Sequence, residues 1–115
     1  MDNEESLSRK AQNYFKLAEY GKSVGMKSES ASNYFKSLSA INDLMLLRKE
    51  LRAKNHFERF ALLKEHIPFL YDITNSLFLI YRETYTSEIE ETELNILKNK
   101  ILEAFDHANI KTTDN

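Results

Sequence analysis

Arg59 and His66 stand seven residues apart, close to two turns of helix, so one helical face can carry both a guanidinium and an imidazole. Together they could cleave a phosphodiester without metal, the arginine stabilising the charge of the phosphorane while the histidine moves a proton. A second row lies on the next segment, where Asn75, Phe78, Arg82 and Tyr85 fall on one side of a helix, with Glu83 beside them. Arginine stacks on aromatic faces and forks onto phosphate or carboxylate. That row could hold a nucleotide or the acidic side chain of a partner. The alternative for Arg82 is structural, an ion pair with a carboxylate such as Asp43 on a neighbouring helix.

Charge is segregated along the chain. Arg48 to His66 holds six Lys or Arg against three Glu, whereas Glu83 to Glu93 holds five Glu and no base. The basic segment could meet phosphates, and Phe57 and Phe60, interleaved with it, could stack on bases. The same pattern also describes a solvated helix face with its apolar residues turned inward. His56 and His107 have no evident partner in the sequence and read as surface or boundary residues.

Other chemistries are poorly provided for. The chain has no cysteine, which removes disulfides and thiolate ligands or nucleophiles, and its three histidines lack the spacing of a zinc motif. Neither a metal nor a cofactor is expected. A net charge of −2 supplies no global attraction to nucleic acid or to an anionic membrane. The acidic first residues and an uncharged run of only Ile73 to Tyr81 predict a cytoplasmic protein without a membrane segment.

These side chains must be positioned by helices. With 115 residues, 42% of them hydrophobic, two Gly and one Pro, the chain fits one domain of helices joined by short connections. The pattern Ala-x-Asn-Tyr-Phe-Lys occurs at Ala11 to Lys16 and again at Ala31 to Lys36, and reads as two similar core faces. The first helix carries Leu7, Ala11, Tyr14, Phe15 and Ala18, with Gly21 and Gly25 as candidates to close it. Ser28 or Ser30 can cap a second helix running to about Leu51, apolar nearly all round from Ile41 to Leu47 and therefore central. Asn55 would end it, and a short helix through Phe57, Phe60 and Leu63 would follow. Pro68 then opens a fourth segment, and Ser87 with Glu90 forms a capping box before a last helix facing inward with Leu94, Leu97, Ile101, Leu102 and Phe105. The expectation is an all-α up-and-down bundle of four main helices and one short one, a single domain over 1–115 with 1–5 and 110–115 frayed.

In their order, these features resemble the HEPN superfamily of small prokaryotic helical-bundle proteins. The resemblance rests on Ala11-x-x-Tyr14-Phe15-x-x-Ala18, the Ser-rich start of an aromatic second helix at Ser30 to Phe35, Lys54-x-His56, and Tyr81-Arg82-Glu83-x-Tyr85 before a Glu-rich final helix. It implies a homodimer, and for active members a metal-independent ribonuclease whose motif is an arginine followed, after four to six residues, by histidine. Arg82 resembles the start of that motif, but positions 87 to 89 are Ser87, Glu88 and Ile89, so the proton carrier is missing. The resemblance therefore implies a non-catalytic module that contacts a nucleotide, RNA or a nucleotidyltransferase partner through Asn75, Phe78, Arg82, Glu83 and Tyr85. Two readings compete with it: a ribonuclease using Arg59 and His66, and a structural homo-oligomeric protein without a ligand.

Overall fold

The computed structural model describes residues 3–113. Among these the chain forms five helices and no strand: α1 (Glu4–Ser23), α2 (Lys27–Leu47), α3 (His56–His66), α4 (Pro68–Glu83) and α5 (Glu91–His107). The all-α bundle is as the periodicity requires. Part of each segment expected to fray lies outside the described residues. Glu4 and Glu5 are already helical behind an Asn3 cap, and Ile110 packs against the core.

Helix α2 is the axis, packed against each of the other four. Ile41, Leu44 and Leu46 are fully buried there, as an element apolar on several sides should be. Its closest neighbour is α1, antiparallel to it. Small residues allow this approach: Ser30 Oγ donates to the Ala18 carbonyl oxygen at 2.6 Å, and Ser37 Oγ to that of Ala11 at 2.7 Å. Both serines are buried, so Ser30 is a rivet between helices rather than the cap expected of it. Gly21 belongs to the same seam, since a Cβ there would lie 3.3 Å from the Met26 oxygen and from the Ser30 nitrogen. It therefore sits inside α1 instead of closing it.

Three helices end by one device, a residue in the left-handed region with a pair of backbone bonds reaching back into the last turn. Gly25 (φ 80°) follows α1, where Met26 N–H bonds to Gly21 O at 2.8 Å. Glu50 (φ 61°) follows α2, where Leu51 N–H bonds to Leu46 O at 2.9 Å, so α2 stops short of the expected Leu51. Asn109 (φ 56°) follows α5, where Ile110 N–H bonds to Phe105 O at 3.1 Å. Asn55 does not end α2; its Oδ1 accepts from Glu58 N–H at 2.8 Å and starts α3.

Pro68 stands in the first turn of α4 as expected. The capping box before α5 is displaced by one turn: Glu93 Oε1 accepts from Glu90 N–H, while Ser87 Oγ donates back to Glu83 O. The inward face of α5 is Leu94, Leu97, Ile101, Ala104 and Phe105. Leu102, one position past Ile101 and rotated off that face, is exposed. Phe15 meets Tyr34 and Phe105 edge-on, which joins α1, α2 and α5 in one core.

Candidate nucleic-acid interface and adjoining groove

Aromatic rings fill the contact between α2, α3 and the second half of α4. Phe78 lies among Phe35 (centroids 5.8 Å), Phe60 (5.4 Å) and Tyr81 (6.3 Å). The Tyr81 ring is stacked on Phe35 at 4.5 Å, with 9° between planes. This packing fixes the outer surface of α4. Arg82 is exposed, with its guanidinium 6.0 Å from the Phe78 centroid, and no carboxylate among the described residues pairs with it. Tyr85 is 73% exposed and shares a 2.8 Å hydroxyl bond with Tyr81, which raises the Tyr81 pKa, with burial contributing next. Phe78, Arg82 and Tyr85 are thus brought together around Tyr81. Asn75 and Glu83 are exposed on the same helix, and their side chains join no hydrogen bond or ion pair there among the described residues.

Asp43 pairs with a different arginine from the one the sequence offered. Its two oxygens accept from Arg59 Nε at 2.8 Å and Nη2 at 3.0 Å, a forked ion pair between α2 and α3. The remaining arm, Nη1, lies 2.7 Å from His56 Nδ1. Helix α3 persists through His66, so a rise of about 1.5 Å per residue separates Arg59 and His66 by roughly 10 Å along its axis. Nε2 of His66 stands 3.6 Å from Glu65 instead. The structure gives Arg59 a histidine, but it is His56. His107 likewise has a partner, the Phe69 ring stacked at 4.6 Å.

A guanidinium has only donors, so Nδ1 of His56 is the acceptor and the ring carries its proton on Nε2. Burial and the Arg59 charge both lower the His56 pKa, against a smaller opposing effect of Asp43. His56 is consequently a neutral N–H donor at physiological pH.

Beside it runs a groove of about 260 Å³ between α1, α2, the start of α3 and the end of α4. Tyr14, Phe35 and Tyr81 supply aromatic walls, and Lys10, Lys36, Asp43 and His56 supply the polar groups. The Lys36 ammonium lies 5.8 Å from the Tyr14 ring centroid. Because His56 and Tyr81 line the same groove, the start of α3 and the end of α4 share one end of the bundle. Phe57, next to His56, is 86% exposed there.

No protein-family model, curated protein or solved structure matches the chain. The site residues that sequence reasoning missed are His56, Lys10 and Lys36. His56 and Arg59 at i and i+3 did carry a local signal. Lys10 and Lys36 come from different helices, and no spacing in one segment could have paired them.

Proposed function

We propose that the chain is a non-catalytic binding module for single-stranded RNA, engaged at the end of the bundle where α3 begins and α4 stops. The observation that carries this reading is the pair of outward aromatic rings at that end, Phe57 and Tyr85, with the unpaired Arg82 guanidinium over Phe78. Large rings left in water suit stacking on unpaired bases, while Arg82 and, just before α3, Lys54 suit the phosphates. The resemblance to HEPN proteins agrees with an RNA ligand. Two features favour binding without cleavage: His66 lies far from Arg59, and the one ring nitrogen of His56 that could accept a proton is already bonded to Arg59.

Fluorescence anisotropy with a labelled unstructured RNA oligomer tests the reading. Stacking of about 1 to 3 kcal/mol per ring predicts that Phe57→Ala and Tyr85→Ala each weaken binding by roughly one to two orders of magnitude. Arg82→Ala should weaken it and flatten its salt dependence. The RNA should stay intact throughout. Unaltered affinity in all three variants, or no binding by the wild type at low salt, would overturn the proposal.

A further inference from the structure

We propose that the groove between α1, α2 and the start of α3 is a separate site for a nucleoside monophosphate, with Lys36 matching the phosphate charge and His56, held by Arg59, donating to a phosphate oxygen.

Four observations carry this. Among the described residues Asp43 is the one carboxylate lining the groove, and both of its oxygens are engaged by Arg59, so its charge is matched at contact distance before any ligand arrives. Lys36 lies across the Tyr14 ring at the groove, and no ion pair holds it among the described residues. With Nδ1 of His56 accepting from Arg59, the hydrogen-bonding group it has for a ligand is Nε2–H, a donor suited to a phosphate oxygen and of no use to a cation. Finally, the walls are flat and immobilised: Tyr81 is stacked on Phe35 and tethered through its hydroxyl to Tyr85, which leaves a planar group an ordered surface to pack against.

Size narrows the ligand. The groove's 260 Å³ lies just below the roughly 300 Å³ at which pockets for drug-sized ligands begin, so it takes a phosphate and part of the attached nucleoside, not a length of strand. The phosphate could belong to a free nucleotide or to the terminus of an RNA strand. The shared chemistry is a terminal phosphomonoester on a nucleoside. The site does not depend on Phe57 or Arg82 and stands or falls apart from the RNA reading.

Nitrogen-15 NMR of the full chain, titrated with adenosine monophosphate, supplies the test. Shifts should concentrate at the amides of Lys10, Lys36 and Tyr81 and at the His56 ring, which should show Nε2 protonated and Nδ1 bare before ligand is added. Adenosine alone should bind more weakly. Lys36→Ala and His56→Ala should each weaken the nucleotide by about tenfold or more, and His56→Gln, which keeps a donor, by less. A 5′-phosphorylated RNA oligomer that shifts the same resonances, when its 5′-hydroxyl counterpart does not, assigns the phosphate to a strand end; equal shifts by free nucleotide alone assign it to the small molecule. Absence of groove shifts with both phosphorylated ligands, or a His56 ring protonated on Nδ1, overturns the proposal. RNA binding with a silent groove would sink it while leaving the RNA interface standing.

Discussion

Ser37 and Asn42, both fully buried on α2, show how much of this fold is decided by single polar atoms. Ser37 Oγ reaches a carbonyl of α1, whereas Asn42 Nδ2 donates to Thr74 Oγ1 of α4 at 2.9 Å and its own Oδ1 finds no partner among the described residues. The Ser37 bond is worth about 0.5 to 1.5 kcal/mol. Ser37→Ala should therefore lower the unfolding free energy by that amount in urea melts, and a larger side chain such as Ser37→Leu should cost more by forcing α1 off α2. At this scale the sequence was only partly legible. A serine near a helix start can cap its own helix or bond a neighbouring one, and the residue type does not distinguish the two, which is why Ser30 read as a cap. The Arg82 environment was clearer, because Phe78, the ring beside its guanidinium, lies one turn back on the same helix, although α4 ends before Tyr85. Its proposed link to Asp43 failed because Arg59, on α3, reaches that carboxylate with two arms.

The helices themselves were plain from their apolar spacing; their ends were less so. Gly25 announces a left-handed residue, and Asn109 allows one, but Glu50 gives no such signal, so residue type does not mark the end of α2 before Leu51. A side chain in the left-handed region costs about 1 kcal/mol relative to glycine. Glu50→Gly should raise the unfolding free energy by up to that amount, and Gly25→Ala should lower it comparably, both measurable by thermal or urea denaturation. The displaced start of α5 has a similar origin. Ser87 and Glu90 have the right spacing for a capping box, but Ser87 is still bonded to the last turn of α4, and Glu90 and Glu93 repeat the geometry one turn later.

For the molecule as a whole, two titrating groups set opposite limits on stability. His56 has its pKa lowered from 6.5, so the unfolded chain takes up a proton that the folded chain refuses, and stability falls as pH drops below about 6.5. Tyr34 has its pKa raised from 10.0 by burial and by its hydrogen bond to Glu19, so the unfolded chain loses a proton that the folded chain keeps, and stability falls as pH rises past about 10. Urea melts across this range should show both limbs. His56→Gln should flatten the acid one and Tyr34→Phe the alkaline one; an unchanged pH profile in either variant would show that the cause lies elsewhere.

The seam between α1 and α2 also has a kinetic meaning. Its rivets join residues 12 and 26 positions apart across a turn of three residues, while the bonds that fasten the last helix and its end span 79 positions, from Glu19 to Lys98, and 60, from Arg48 to the Ala108 carbonyl. Closing a short loop sacrifices less chain entropy than closing a long one. The helical hairpin is thus the part of the bundle that can assemble with the least reference to the rest, and α5 docks onto a surface that the hairpin has already made.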